Sequence, residues 1–139
     1  MRQAHRQEDL MATKILWLSM AGSVGTVSRY LLGGFVHRFV DAEFPWGTLS
    51  VNAIGCFFAG FLWIFSERYL EISGELRTVI FIGFFGAFTT FSSVMLETAE
   101  LLRAAEWTAS VKNVLLHNVL GIGLVILGIA AAKSLKGGG

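Results

Sequence analysis

The stretch TVIFIGFFGAFTTFSSVML, residues 78–96, contains 19 residues without a charge and lies between Arg77 and Glu97. A helix of about 20 apolar residues crosses a hydrocarbon core of roughly 30 Å. The stretch therefore predicts a transmembrane helix.

Two similar windows precede this stretch and one follows it. Residues 44–66 and 113–132 carry no charge, and residues 15–36 carry only Arg29. Four such windows predict an all-α membrane protein in which residues 1–139 form a single four-helix transmembrane domain. The predicted spans are 15–36, 44–66, 78–102 and 110–132.

The composition agrees with a membrane protein and excludes several functions. The chain is 54% hydrophobic and 15% charged with a mean hydropathy of +0.63, whereas a soluble domain carries about 25% charged residues. Short tails and connections leave no room for an ATPase, a receptor ectodomain or a tethered soluble enzyme. A net charge of +1 argues against a nucleic-acid partner. The single cysteine, Cys56, permits neither an intrachain disulfide nor a zinc cluster.

The basic residues are distributed unevenly between the two sides of the membrane. If the four helices alternate, one side holds both ends of the chain and the second connection. Seven basic residues lie on that side and three on the other, with Arg29 inside the first span. The positive-inside rule then predicts that both ends are cytoplasmic. The seven are Arg2, Arg6, Lys14, Arg68, Arg77, Lys133 and Lys136, and the three are Arg38, Arg103 and Lys112.

The third span carries an unusual cluster of hydroxyl groups. Thr89, Thr90, Ser92 and Ser93 surround Phe91 shortly after two glycines. Glycine weakens a helix, and hydroxyl groups can satisfy the backbone groups that a broken helix releases. The pattern predicts a third helix that is broken near its middle and forms a site for a small ion. The alternative is a packing stripe of phenylalanines at positions 85, 88 and 91, which leaves the hydroxyl groups unexplained.

Other polar residues inside the spans have two readings each. Asn52 either joins helices or faces a polar path. Arg29 either extends its charge to the interface or attracts an anion. His117, one turn from Asn113, is either a hydrogen-bonded neutral imidazole or a proton relay. Glu97, at the end of the third span, is predicted to be solvated. No pattern for a catalytic site is found, so an enzyme is not expected.

Three segments together resemble one known family, the Fluc (CrcB) fluoride channels. They are GSVG at residues 22–25 followed by Arg29 and Tyr30, PWGTLSVN at residues 45–52 with Gly55, and GFFGAFTTFS at residues 83–92. The segments occur in the same order and at matching spacing. The resemblance implies an antiparallel, dual-topology homodimer in the cell inner membrane, with two pores that export cytoplasmic fluoride.

The resemblance also implies the site residues. In the family, residues corresponding to Asn52, Thr90, Phe91, Ser92 and Ser93 line or border the pores, and Thr48 is assigned to the same set. Arg29 is a candidate for an anion vestibule. Carbonyl groups corresponding to Gly86 and Thr89 hold a structural sodium ion at the dimer centre.

The sequence departs from the family pattern at two positions. A second phenylalanine is replaced by Val94, and a serine of the fourth span is replaced by Ile122. Together with the charge asymmetry, these departures leave open a paired heterodimer in which a second subunit supplies the missing aromatic group and orientation, or an altered fluoride throughput.

A passive mechanism follows from the chemistry of these side chains. Fluoride is strongly hydrated, so a pore must replace its water with neutral donors and with the positive edge of an aromatic ring. One alternative is a small proton-coupled multidrug exporter, which needs a carboxylate in the first span, and residues 15–36 contain none. A non-conducting assembly subunit is the other alternative, and it leaves the hydroxyl cluster without a role.

Overall fold

The computed structural model describes residues 2–40, 43–70 and 72–135. Within these residues, four helical stretches are long and apolar enough to cross a membrane. They are His5–His37, Trp46–Arg68, Gly74–Arg103 and Trp107–Ser134. The prediction of an all-α, four-span membrane protein is confirmed.

The third of these stretches is composed of several shorter elements. The elements are α1 (Arg2–His37), α2 (Trp46–Arg68), α3 (Gly74–Thr78), a π-helical segment (Val79–Phe85), α4 (Gly86–Phe88), α5 (Phe91–Arg103) and α6 (Trp107–Ser134). At the end of the π-helical segment, the Gly86 N–H donates to the Phe81 carbonyl, five residues earlier. Such π-helical turns are rare and often lie at functional sites.

Glycines allow the helix backbones to approach closely. A Cβ atom on Gly128 of α6 would collide with the Phe57 carbonyl of α2, and one on Gly25 of α1 would collide with the Phe84 carbonyl. In a bilayer, small residues are what allow such close packing. Gly25 thus lies on an interhelical face, and α1 packs directly on the third span.

Basic and aromatic side chains meet at both ends of α2. The Lys112 ammonium lies 5.0 Å from the ring centroid of Phe44 and 5.3 Å from that of Trp46. At the opposite end, the Arg77 guanidinium lies 4.9 Å from the ring centroid of Trp63. Cation–π pairs of this kind, at the level where aromatic residues favour the membrane interface, hold the ends of the second span in register with its neighbours.

Candidate functional site

The helical conformation of the third span is interrupted at two threonines. α4 ends at Phe88, and the backbone is extended at Thr89 (φ −84°, ψ 158°) and Thr90 (φ −151°, ψ 114°). In a continuous helix the Thr90 N–H would donate to the Gly86 carbonyl. It donates instead to Asn52 Oδ1, at 2.8 Å. Gly86 itself is helical (φ −62°, ψ −31°), so the interruption follows the glycine by three residues.

Asn52 of the neighbouring helix α2 stabilises this interruption. Its Nδ2 donates to the Thr90 carbonyl at 3.1 Å, while its Oδ1 accepts from the Thr90 N–H. Both polar atoms of the amide therefore bind a single residue, and α2 is joined to the start of α5. The amide group carries a second hydrogen that this pairing does not use, so Asn52 joins helices and still has a donor to offer.

Three of the four hydroxyl groups converge at the start of α5. Thr90 Oγ1 accepts from the Ser93 N–H at 3.2 Å and caps the helix. The same oxygen lies 3.0 Å from Ser93 Oγ and 3.3 Å from Ser92 Oγ. Thr89 differs, because its hydroxyl donates to the Phe85 carbonyl of its own helix at 2.8 Å. The structure thus brings the hydroxyl groups of Thr90, Ser92 and Ser93 together, whereas that of Thr89 is directed back to its own helix, although Thr89 itself lines an opening beside Asn52.

The three phenylalanines of the third span have different environments. Phe85 and Phe88 are 7% and 6% exposed, whereas Phe91 is 72% exposed. The packing-stripe reading therefore fits Phe85 and Phe88 only. Phe91 follows the extended residues, so it does not continue the buried face of the preceding helix.

An open cavity lies between α1, α2 and the start of α5. We call it the arginine cavity; its volume is about 440 Å³, and its polar lining includes Arg29, Thr48, Thr90 and Ser93. Arg29 is half-buried, in a wall of the cavity. The arrangement places the Arg29 cation and five hydroxyl-bearing residues around the same space, namely Thr26, Tyr30, Thr48, Thr90 and Ser93.

A second opening lies on the other side of Thr90. We call it the asparagine cleft; its volume is about 200 Å³, and it is lined by Asn52, Thr90 and Phe91 together with His117 and Asn118 of α6. Sequence reasoning recorded the polar residues of the fourth span but did not assign Asn118 to the site. The helical spacing on α6 alone could not show which of them faces α2.

Glu97 is not solvated as predicted. Its Oε1 accepts a hydrogen bond from Thr48 Oγ1, and its Oε2 is buried without a hydrogen-bond partner among the described residues. The prediction was wrong because α5 turns Glu97 toward α2, a direction that its position beside other charged residues did not reveal. A carboxylate thus lies directly behind the Thr48 wall of the arginine cavity.

The histidine of the fourth span is hydrogen-bonded. His117 Nδ1 lies 2.9 Å from the Asn113 carbonyl, which can only accept, so Nδ1 carries the hydrogen. Asn113 is fully buried and donates to the Val94 carbonyl at 3.3 Å and to Thr98 Oγ1 at 3.0 Å. This network fixes α6 against the half of the third span that follows the interruption.

The sequence is similar to one described family over most of its length. The model of the family described as "CrcB-like protein, Camphor Resistance (CrcB)" matches residues 16–129. A protein of Desulforapulum autotrophicum named "Fluoride-specific ion channel FluC" is 48% identical over 123 residues, covering 88% of this chain and 98% of the relative. Proteins of the same name from Nitrosococcus oceani and Salinibacter ruber are 42% and 43% identical, covering 88% and 90% of this chain and 98% and 93% of their own lengths.

Proposed function

The chain belongs to the CrcB family, and we propose on this premise that it is a fluoride-selective channel through which fluoride leaves the cytoplasm passively. It is a multi-pass membrane protein, and its relatives are named fluoride-specific channels. The observation that carries the proposal is the position of Thr90, which lines both the arginine cavity and the asparagine cleft. An ion that passes this residue crosses the middle of the third span.

Neutral donors along this path can replace the water around fluoride. They are the second Nδ2 hydrogen of Asn52 and the hydroxyl groups of Thr90, Ser92 and Ser93. The edge of the Phe91 ring carries positive quadrupole density, which favours an anion beside it. Thr48 acts differently, because its hydroxyl hydrogen is directed to Glu97 and not to an ion in the cavity.

We propose that the functional unit is an antiparallel homodimer. Phe91 and Ser92 are exposed on the single chain, and so is Gly86. An ion beside Phe91 would be open to lipid on one side, so a pore at this position needs a second wall. A second copy of the chain, inverted in the membrane, supplies that wall from the same surface.

We also propose a structural sodium ion at the dimer axis. Carbonyl groups released where a helix is interrupted suit a hard cation, and the Gly86 carbonyl has lost the Thr90 N–H as its helical partner. Among the described residues, no group of three or more His, Cys, Asp or Glu side chains could hold a metal. The Gly86 and Thr89 carbonyls of one chain supply only two oxygen ligands, too few to hold a hard cation. Two copies would double the set, and the bound charge would favour an anion nearby.

The channel function is tested with purified protein in liposomes loaded with potassium fluoride. Without a path for potassium, fluoride exit would build up a membrane potential that stops further exit. A potassium ionophore lets potassium leave with fluoride, so a passive channel releases fluoride into the bath. We expect rapid fluoride release, while chloride-loaded liposomes stay tight. Equal release of chloride would reject selectivity, and no release of either ion would reject conduction by this protein alone.

A further inference from the structure

His37 lies at the outer end of the arginine cavity and has no role in the function described so far. It is the last residue of α1 and lies on one stripe of that helix with Arg29 and Gly33, because four-residue spacing places side chains on one face. All three residues line the cavity, opposite Thr48 and Ser93. The stripe therefore carries a permanent cation at one end and an imidazole at the other.

Gly47 holds the imidazole against the start of α2. A Cβ atom at Gly47 would lie 2.7 Å from His37 Nε2 and 3.0 Å from the Gly33 carbonyl oxygen. The ring thus rests on bare backbone immediately before Thr48. Since Gly47 is buried and His37 is exposed, the imidazole is fixed at the cavity on one side and open to water on the other.

The charges that face this cavity nearly cancel without His37. Arg29 contributes one positive charge, and Glu97, hydrogen-bonded to Thr48, contributes one formal negative charge behind the wall. Glu100 and His117 are the other titratable groups that lie close enough to act on Glu97. Among the described residues, the only other titratable group in the lining is the phenol of Tyr30. On α6, the Lys112 ammonium lies within cation–π distance of the Phe44 and Trp46 rings.

Protonation of His37 would change this balance from neutral to positive. Imidazole side chains change charge between about pH 5 and 8, unlike ordinary arginine and tyrosine side chains. A positive potential in a cleft with low-dielectric walls raises the local concentration of anions and their rate of entry. We propose that His37 is an anion-recruiting residue whose protonation increases fluoride entry through the arginine cavity. This inference rests on the proposed channel function.

The test compares initial fluoride release at about pH 8 and about pH 5.5, the range over which imidazole titrates. Fluoride is kept low and the ionic strength low, so that entry limits the rate. We expect wild-type release to rise about two- to fivefold on acidification, the effect of one nearby charge in water. His37→Gln should be slow at both values, and His37→Arg should be fast at both.

Two controls separate this effect from other responses to acid. His5→Gln should respond like the wild type, because His5 lies on the exposed first turns of α1. Vesicles without protein measure the leak of hydrogen fluoride through lipid, which is subtracted. The wild-type increase should also shrink at high ionic strength, where surface charges are screened.

Three outcomes would overturn the inference. The first is a conducting wild type with the same rate at both pH values. The second is a His37→Gln variant that keeps the full increase. In both of these cases the channel function stands and only the role of His37 fails. The third is a wild type that moves no fluoride at either pH, which refutes the channel function and, with it, the role of His37.

Discussion

At the scale of single residues, Asn52 allows a direct test of the proposed pore. Its amide binds both the N–H and the carbonyl of Thr90 and keeps one hydrogen free. Asn52→Asp replaces the donor with an acceptor and adds a negative charge beside an anion path. We expect fluoride release to fall at least about tenfold, which corresponds to 1.4 kcal/mol or more.

The matched control for Asn52 is Ile54→Val on the same helix. Ile54 is exposed and lines neither the arginine cavity nor the asparagine cleft, so this variant should conduct like the wild type. Size-exclusion chromatography of both variants shows whether assembly is intact. An Asn52→Asp protein that conducts normally would leave Asn52 with a structural role only.

Phe91 and Phe88 allow a residue of the proposed pore to be compared with a residue of the packed core. Phe91 is 72% exposed and Phe88 is 6% exposed on the single chain. Phe91→Ile should reduce fluoride release at least about tenfold, because the positive ring edge is lost, with little change in thermal stability of the subunit. Phe88→Ile should lower stability by about 1–3 kcal/mol through poorer packing. The opposite pattern, in which Phe91→Ile unfolds the protein and still conducts when folded, would contradict the assignment.

The sequence could identify these residues only in part. It marked the hydroxyl cluster and Asn52 as unusual, because such groups are costly inside a membrane. Helical spacing alone could not separate Phe91 from Phe85 and Phe88, since it places all three on one face, and only the family resemblance singled out Phe91. Nor could it place Glu97, whose burial depends on a contact with Thr48 across 49 positions of sequence.

At the scale of elements, the interruption and the glycine contacts can be tested separately. A Cβ atom at Gly86 meets only the Phe81 carbonyl, at 3.8 Å, whereas one at Gly25 would collide with the Phe84 carbonyl. Gly86→Leu should therefore keep a folded subunit while weakening the proposed dimer and its sodium site. Gly25→Ala should destabilise the subunit itself by about 1–3 kcal/mol through overpacking.

Analytical ultracentrifugation and thermal unfolding in detergent distinguish these two effects. Replacing sodium with a large organic cation should reproduce the Gly86→Leu result in the wild type, because ligand binding stabilises the assembled state. A dimer that is unaffected by both changes would leave the sodium proposal without support.

The elements themselves follow from the sequence to different extents. Uncharged windows identify the four spans, because the thickness of the bilayer sets their length. The π-helical segment at Val79–Phe85 has no comparable signal. The interruption falls at Thr89 and Thr90 rather than at Gly86, because Asn52 of another helix accepts the Thr90 N–H. This contact between helices cannot be predicted from the local helix propensity of the third span.

At the scale of the whole molecule, the antiparallel homodimer requires copies in both orientations. Seven basic residues on one side against three on the other favour a single orientation. Two of the seven, Arg2 and Arg6, belong to the polar end of α1 that precedes the first predicted span, at residues 15–36. The proposed homodimer nevertheless requires both orientations, so we expect comparable signals from C-terminal reporters that are active only in the cytoplasm or only outside it. A signal confined to one side would contradict self-pairing and support a second, oppositely oriented subunit.

The central claim, passive and selective fluoride conduction by this chain, is tested most directly by its reversal potential. Purified protein is fused into a planar bilayer with a fluoride gradient and a chloride gradient of opposite direction. We predict a current that reverses at the potential set by the fluoride gradient and does not move when a proton gradient is added. A reversal potential set by chloride would contradict selectivity, and transport that follows the proton gradient would contradict a passive channel.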